Sequence, residues 1–330
     1  MNFILSKILT SLLLVFIGLA AGYAAQQLIS KTKLSSKLSI DKIRRLLQKS
    51  ILQVIIPITV IGSIWIAPLQ HVQIIALPFL GALAILLGGS AGYLLSGPLG
   101  LDRGGRGVFT VTSGFTNMGS LGGLFVFILL GEQGFALVAF YQLFEKLMYF
   151  GAGFPLAKAH SSHRKNDSSK KGLFLQMLKD PVIVINLGAL IIGAVLNLTG
   201  IARPDFYFNI NNILVPLGSV GLLVSIGLAI KFSSMRKYLR PGITVVLIKS
   251  AIVPAVIFTI GYLLGLGDFE NGLALKFLLI ISAMPVGFIA LVPPTLYDMD
   301  LDLANTCWFF STLSLVVSIP VISLILPYIG

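Results

Sequence analysis

Long apolar runs separated by short polar segments dominate this sequence. Ten runs are about 20 residues long or more, the length that a transmembrane helix requires. Leucine, isoleucine and valine fill them without the period-two alternation of a membrane β-strand, so we predict that all ten are helices. The predicted spans cover residues 4–25, 46–66, 72–96, 107–131, 134–157, 180–199, 210–231, 241–265, 272–296 and 303–328.

The composition indicates a polytopic membrane protein. Hydrophobic residues make up 56% of the chain and charged residues only 11%. A soluble domain cannot bury so much apolar surface. The net charge of +12 comes from basic residues in short loops between the apolar runs, so we predict a lipid bilayer as partner and no nucleic acid. A single cysteine, Cys307, excludes an internal disulfide.

The first apolar run also has features of a signal peptide. Lys7 precedes most of it, and small residues lie towards its end. The run from Ile8 to Ala25 is longer than a signal-peptide core and long enough to cross a bilayer. We therefore predict that it is a retained transmembrane helix.

Basic residues alternate between successive loops. The loops after the first, third, fifth and seventh spans are rich in lysine and arginine, whereas the intervening loops carry Glu132, Asp268 and Glu270. Arg203 is the only basic residue of those intervening loops. The positive-inside rule then predicts a multi-pass protein of the cell membrane with both termini outside the cytoplasm. The acidic loop 297–302 falls on the cytoplasmic side, but acidic residues contribute little to orientation.

A polar stretch from His160 to Lys171 divides the ten spans into five and five. Halves with an odd number of spans enter the membrane from opposite sides, which is the layout of an inverted repeat. We therefore predict an all-α polytopic membrane protein with two inverted five-helix repeats, 1–157 and 180–330. A basic cytoplasmic loop, 158–179, would join them.

Two of the predicted spans contain a break. The fourth has a glycine-rich segment, 114–123, around Asn117, and the ninth has Pro285 within 282–287. Glycine and proline destabilise a helix interior. Within the hydrocarbon core, a broken backbone is tolerated only where protein buries it or where it lines a water-filled cavity. A lone glycine motif would indicate a close helix contact. Breaks in both halves are instead typical of a transporter's binding site, so we predict that the broken fourth and ninth spans form such a site.

The chemistry of two broken helices at one site favours an anion. The starts of half-helices present backbone N–H groups with partial positive charge, which suits a carboxylate. Asn117 adds an amide donor and acceptor, although an interhelical hydrogen bond is the alternative role for it. The predicted substrate-binding residues are Asn117, Gly119, Ser120, Pro285, Val286, Gly287, Glu145, Lys146 and Tyr141.

Glu145 and Lys146 lie near the middle of the fifth predicted span. Charged groups at that depth cost at least ~2.5–3.5 kcal/mol each, so both should face protein or water. Neighbouring helix residues point roughly 100° apart, so we expect no simple pair between them. Glu145 shares a helix face with Tyr141 and Tyr149. Either one of the two charges lines the cavity, or each has a separate structural partner.

The other polar residues of the apolar runs and loops give weaker indications of function. We expect Lys249 and Lys276 to extend towards the membrane surfaces, and we read His160 and His163 as solvated rather than metal-binding. The sequence has no paired intramembrane carboxylates, no His-Glu-x-x-His and no Gly-x-Ser-x-Gly motif. We therefore expect neither a metal nor another cofactor, and no enzyme activity.

Several motifs resemble those of the auxin efflux carrier family of membrane transporters. A Gly-x-x-Asn-x-Gly-x-Leu-Gly motif is present at Gly114, Asn117, Gly119, Leu121 and Gly122. A Gly-Glu-x-Gly turn follows at 131–134, and the closing stretch has Pro285, Tyr297-x-x-Asp300, Ser311-Thr312-Leu313-Ser314 and Pro320. The resemblance implies a ten-helix fold shared in outline with bile-acid:sodium symporters, with the broken fourth and ninth helices crossing near the midplane at the substrate site. It also allows a homodimer.

The predicted function is transport. We expect a secondary active or potential-driven carrier of small organic anions, mono- or dicarboxylates including auxin-like ones, working by alternating access. Efflux is the direction that the resemblance implies. The alternatives are a sodium-coupled organic-anion symporter of the bile-acid type and a non-transporting membrane receptor or scaffold.

Overall fold

A computed structural model describes residues 2–31, 39–69, 72–161, 180–230 and 235–329. Within these ranges the regular structure is helical, apart from a single antiparallel bridge. Most of the predicted basic loop, from residue 162 to 179, lies outside the described residues. The α-helices are α1 (Asn2–Lys31), α2 (Ile40–Ser50), α3 (Ile56–Ile64), α4 (Ala76–Ser96), α5 (Arg103–Gly114), α6 (Gly123–Tyr141), α7 (Glu145–Met148), α8 (Phe154–His160), α9 (Pro181–Leu198), α10 (Phe206–Gly227), α11 (Leu239–Leu247), α12 (Val253–Leu263), α13 (Leu273–Ser282), α14 (Val292–Leu296), α15 (Leu301–Leu313) and α16 (Leu315–Ile325).

Seven helical stretches in the described part of the chain are long and apolar enough to cross a membrane. An eighth candidate is the pair formed by α15 and the segment Leu315–Tyr328, which is bent by 41°. These stretches confirm a polytopic all-helical membrane protein. α5 and α13 have 12 and 10 residues, too few to span a bilayer alone, so the number of ten spans stays a prediction.

The chain forms two compact units, and each takes segments from both predicted halves. The first unit consists of Met1–His71, Gly119–Ala139 and Leu178–Lys231. The second consists of Val72–Met118, Phe140–Met177 and Phe232–Gly330. The first unit therefore contains the opening helices of each half, and the second contains the ends of α5 and α13.

In the first unit, α1 packs along α10. Glycine lies at the contact on both helices. A Cβ atom on Gly22 would lie 2.2 Å from the Val224 carbonyl oxygen, and one on Gly227 would lie 2.4 Å from the Leu19 carbonyl oxygen. Any larger residue would push the backbones apart, so this small-residue packing depends on glycine at both positions.

A buried ion pair ties several elements of the first unit together. Gly131 adopts φ 74° and ψ −165°, which divides α6 into two helical parts just before Glu132. Both carboxylate oxygens of Glu132 accept hydrogen bonds from Arg203, at 2.9 and 2.8 Å, and Asn211 donates a third at 2.7 Å. Arg203 also donates to the Gly62 carbonyl oxygen at 2.9 Å. Bidentate geometry and the extra donors compensate for the loss of hydration.

In the second unit, α4 presents a glycine face to its neighbours. A Cβ atom on Gly81 would lie 2.1 Å from the Tyr141 carbonyl oxygen, and one on Gly88 would lie 2.3 Å from that of Ser113. A Cβ atom on Gly92 would meet the Ser113 side chain at 2.6 Å. These glycines let α5 and the end of α6 pack directly on the α4 backbone.

Three of the four π-helical segments in the described residues lie just before a proline. The pairs are Ile51–Ile55 with Pro57, Tyr149–Gly153 with Pro155, and Ile248–Ile252 with Pro254. Proline lacks an N–H group and its ring presses on the carbonyl four residues earlier, which falls inside each segment. A widened turn relieves this conflict and changes the direction of nearby side chains. Tyr149 and Lys249 lie in two of these segments.

The start of α15 is tied to the 3₁₀ turn Met235–Tyr238. Asp300 caps the helix by accepting a hydrogen bond from the Leu303 N–H at 2.9 Å, and it accepts a second from the Tyr238 hydroxyl. Burial and this carboxylate raise the pKa of Tyr238. The phenol therefore stays protonated and remains a donor to Asp300.

Candidate functional site

Two helices of the second unit end at the glycine- and proline-containing segments. α5 ends at Gly114, and Phe115 follows in an extended conformation with φ −76° and ψ 128°. α13 ends at Ser282, a few residues before Pro285. Backbone groups lose their helical partners at such ends. Both predicted breaks are confirmed.

The two breaks pair with each other. Thr116 and Val286 form an antiparallel bridge, and the Asn117 N–H donates to the Pro285 carbonyl oxygen at 2.8 Å. Buried backbone groups without partners are costly, so each break supplies hydrogen-bond partners that the other has lost. The predicted meeting of the two broken segments is confirmed, and its depth in the membrane stays a prediction.

Gly287 allows the close approach of the paired segments. Its N–H donates to the Phe115 carbonyl oxygen at 3.0 Å. A Cβ atom at this position would lie 2.9 Å from the Thr116 carbonyl oxygen and 3.0 Å from its carbon, so a side chain would separate the segments. The neighbouring Val286 N–H donates to the Ser311 hydroxyl of α15 at 3.1 Å, which holds the segment from the other side.

Tyr149 holds the fourth-span break at Thr116. Its hydroxyl accepts a hydrogen bond from the Thr116 N–H and donates one to the Thr116 carbonyl, each at 3.0 Å. The ring lies on that of Phe115, with 4.0 Å between the centroids. One tyrosine thus satisfies both main-chain groups of a residue outside any helix, which fixes the local backbone conformation.

Lys249 places an ammonium group at the same break. Its side chain is buried, with 1% of the residue exposed. The ammonium donates to the Gly114 carbonyl oxygen at 3.2 Å and to the Thr116 hydroxyl at 2.6 Å. Gly114 is the last residue of α5, so the cation lies at the negative end of the helix dipole. The prediction that Lys249 extends to the membrane surface is therefore wrong.

Asn117, Gly119 and Ser120 occupy different positions after the break. Asn117 is buried, and its main chain forms the pairing described above. Gly119 and Ser120 lie in the π segment Met118–Gly122 and belong to the first unit. Of the nine predicted site residues, four therefore meet at the pairing: Asn117, Pro285, Val286 and Gly287.

Glu145 and Lys146 form an ion pair with each other, at 3.4 Å between Nζ and Oε2. The prediction that these neighbours do not pair is wrong. It assumed a regular helix, whereas a turn at 142–144 ends α6 and Glu145 begins the short helix α7. The flexible lysine stem then reaches back to the carboxylate. The Lys146 side chain is 40% exposed and that of Glu145 is 12% exposed, so the ion pair is partly exposed at the protein surface.

Tyr141 lies apart from this ion pair. It is buried, and its ring packs edge-on against that of Phe277, with 5.6 Å between the centroids. Its hydroxyl has no hydrogen-bond partner among the described residues. Tyr149, rather than Tyr141, is the tyrosine that contacts the paired breaks.

Four residues at the pairing were absent from the predicted set: Thr116, Tyr149, Lys249 and Ser311. A lysine inside a long apolar run was a usable signal, because an intramembrane charge suggests function by default. Pro155 and Pro254 were a second signal, since each predicts a disturbed turn just before it. The bonds of Thr116 depend on tertiary contacts that no local pattern specifies.

Gly119 also borders an open cleft within the first unit. The cleft is small and has two hydroxyl-bearing residues, Thr59 and Ser219, on otherwise apolar walls. Its remaining lining residues are Ile55, Ile56, Phe135, Leu214, Val215, Gly218 and Leu222. Such a surface suits a hydrocarbon group better than a charged one.

A family model described as membrane transport protein matches residues 7–323, which is nearly the whole chain. The chain belongs to this family of auxin efflux carrier-type membrane transporters. The family resemblance predicted from the motifs is thus confirmed, and the protein is a multi-pass membrane transporter. The chain is also 27% identical over 285 residues to an uncharacterized transporter of Methanothermobacter thermautotrophicus. That alignment covers 85% of this chain and 88% of the archaeal protein.

Proposed function

We propose that this transporter carries small organic anions, mono- or dicarboxylates including auxin-like ones, by alternating access around the paired helix breaks. The observation that carries the proposal is the pairing of Thr116 with Val286 inside a membrane transporter. Helix interruptions occur within membrane proteins where the helix ends and nearby side chains bind a polar ligand. Efflux is the proposed direction.

An anion fits the chemistry at the pairing. The amide of Asn117 can donate to a carboxylate oxygen, and the segment after it starts a new helix with partial positive charge. The Asn117 main chain already bonds to Pro285, so the backbone position is fixed before a substrate arrives. Preorganised donors of this kind bind an anion without first being reordered.

The compact units support two inverted five-helix repeats with boundaries at 1–157 and 180–330. Met1–His71 opens one half and Leu178–Lys231 opens the other, and both belong to the first unit. The opening segments of the two halves therefore enter the same unit, as expected for duplicated five-helix repeats, whereas Gly119–Ala139 joins it without a counterpart from the second half.

The proposed topology has both termini on the extracytoplasmic side of the cell membrane. The ion pair of Glu132 with Arg203 supports the loop assignment, because the charge pattern places both residues on one side. With Cys307 replaced by serine, a cysteine at position 165, which lies outside the described residues, should react with an impermeant maleimide only from the cytoplasm. Labelling from outside would show that the protein has the opposite orientation.

A sodium-coupled symporter of the bile-acid type is the nearest alternative. A Na⁺ ion close to the paired breaks would be repelled by the Lys249 ammonium, which contacts Thr116 there. The Lys249 ammonium therefore favours binding of an anion at the paired breaks and disfavours binding of Na⁺ beside it. A receptor or scaffold is the second alternative, and it predicts no saturable flux of any anion.

Transport into proteoliposomes tests the proposal. Phenylacetate, benzoate, malonate and succinate are offered to wild-type vesicles and to protein-free vesicles, with an inward sodium gradient or with choline instead. We expect saturable flux of at least one carboxylate that is equal in the two salts. Strict sodium dependence would favour the bile-acid type, and flux no faster than in protein-free vesicles would contradict a carrier of these anions.

A further inference from the structure

We infer that the Lys249 ammonium is the fixed positive charge that selects a monoanionic carboxylate at the paired breaks. The inference rests on the proposed function, and it narrows the proposed substrates from carboxylates in general to those with one negative charge. The sequence predicts only that Lys249 reaches the membrane surface, and Lys249 lies outside the motifs quoted above for the family resemblance.

The surroundings of Lys249 leave its charge without an acidic partner. Its two described hydrogen bonds go to a carbonyl oxygen and a hydroxyl, both neutral groups. Lys249 is not a member of the ion pairs of Arg44 with Asp41, Lys146 with Glu145, or Arg203 with Glu132. An ammonium has three donors, so one N–H remains for a further acceptor.

The helix ends near Lys249 do not neutralise it. At a break, the end of one helix carries about −0.5 charge and the start of the next about +0.5, so the two largely cancel. A net charge of roughly +1 on a group that is buried with 1% exposure is costly unless an opposite charge accompanies it. A monoanion brings the sum to about zero, whereas a neutral molecule leaves about +1 and a dianion gives about −1. Burial in a low-dielectric site therefore favours the monoanion.

Contact of Lys249 with Gly114 and Thr116 places the charge within the segment that pairs with Val286. Asn117 follows Thr116 directly, so an amide donor and an ammonium flank one short stretch of backbone. A carboxylate has two oxygens and can accept from both groups. The two residues thus have different roles, because the amide orients the substrate and the ammonium sets its charge.

Three probes that share a phenyl ring separate charge from shape. Phenylacetate is a monoanion, phenylacetamide is its neutral counterpart and phenylmalonate is a dianion. On purified full-length protein in nanodiscs, we expect wild type to bind phenylacetate more tightly than either of the others. Lys249→Met should weaken phenylacetate roughly 10- to 100-fold, the worth of a charged hydrogen bond, with little change for phenylacetamide.

Lys249→Arg keeps the charge and should keep the preference for phenylacetate. Lys276→Met is the matched control, because Lys276 donates to the Asn271 carbonyl oxygen at the start of its own helix and should leave all three affinities unchanged. If Lys249→Met does not fold, the inference is tested with Lys249→Gln and with the relative affinities of wild type for the three probes. A wild-type preference for phenylmalonate over phenylacetate would overturn the inference.

The same probes distinguish a failure of the role of Lys249 from a failure of the proposed transport function. Wild-type flux of phenylacetate with an unchanged ratio of phenylacetate to phenylacetamide affinity in Lys249→Met would overturn the role of Lys249 and leave the proposed function intact. An equal loss of affinity for all three probes would also overturn it, since that indicates a structural role. Absence of carboxylate flux in wild type would contradict the proposed function itself.

Discussion

At the scale of single residues, Asn117 combines a structural main chain with a side chain assigned to the substrate. Its N–H, not its amide, forms the bond to Pro285. Asn117→Ala should therefore preserve the main-chain pairing of the two breaks. Loss of one neutral hydrogen bond costs about 0.5–1.5 kcal/mol, so the dissociation constant of phenylacetate should rise roughly 2- to 13-fold.

Titration calorimetry and thermal unfolding on the same purified protein measure both effects of Asn117→Ala. Lys276→Ala serves as control and should change neither quantity. A lower unfolding temperature with unchanged phenylacetate affinity would mean that Asn117 is a structural residue, and it would be removed from the site.

The Glu132–Arg203 pair should dominate the polar contribution to stability in the first unit. Arg203→Met would leave a buried carboxylate with Asn211 as its remaining described partner, which costs about 3–5 kcal/mol for a buried ion pair. Thermal unfolding should therefore occur at a clearly lower temperature. Glu132→Gln in the same chain should recover part of the loss, because no charge is then left unpaired.

Arg44→Met is the matched control for this prediction. Arg44 pairs with Asp41 at 3.5 Å, but the Asp41 side chain is 66% exposed. An exposed pair contributes about 0–1 kcal/mol, so the unfolding temperature should hardly change. Equal shifts for Arg203→Met and Arg44→Met would show that the buried pair does not anchor the unit.

At the scale of elements, the paired breaks depend on glycine at position 287. Gly287→Ala places a Cβ atom 2.9 Å from the Thr116 carbonyl oxygen, which is backbone and cannot move aside easily. We expect a lower unfolding temperature and a loss of phenylacetate binding larger than that of Asn117→Ala. Binding assays and thermal unfolding on the purified variant check both.

Gly188→Ala is the matched control within α9. A Cβ atom there meets nothing within 4 Å, and alanine is favoured over glycine in a helix by about 1 kcal/mol. This variant should bind phenylacetate normally and unfold at the same or a higher temperature. If Gly287→Ala behaves like Gly188→Ala, the close pairing of the two breaks is not required.

The breaks could be predicted from sequence, whereas their partners could not. Glycine around Asn117 and proline at 285 are local signals, and both breaks lie there. The register that pairs Thr116 with Val286 depends on residues about 170 apart, which no local pattern contains. The Lys249 error has a related cause, since its distance from the end of an apolar run says nothing about an acceptor on another helix.

Charges inside a span were equally hard to place without the local backbone. A regular helix points Glu145 and Lys146 apart, but the turn at 142–144 starts a new helix at Glu145. Nothing in the residues of that turn is a strong helix breaker such as proline. The ion pair at 3.4 Å therefore arises from a backbone feature that propensity alone does not predict.

At the scale of the whole molecule, the chain divides in two ways at once. Its charge pattern divides it in sequence at 158–179, whereas its packing divides it into two units that each draw on both halves. The apolar pattern was sufficient for the helical membrane class, because each run must satisfy its own backbone hydrogen bonds. The composition of the two units required tertiary packing, for example the glycine contact of α1 with α10.

Potential-driven flux is the direct test of anion transport by this protein. Vesicles containing wild-type protein are loaded with phenylacetate, and a potassium gradient with valinomycin sets the inside negative. The potential changes the energy of an anion by ~2.3 kcal/mol per charge per 100 mV, so efflux should be saturable and faster than at zero potential, without any sodium. Efflux that matches protein-free vesicles at every concentration and potential would contradict the account.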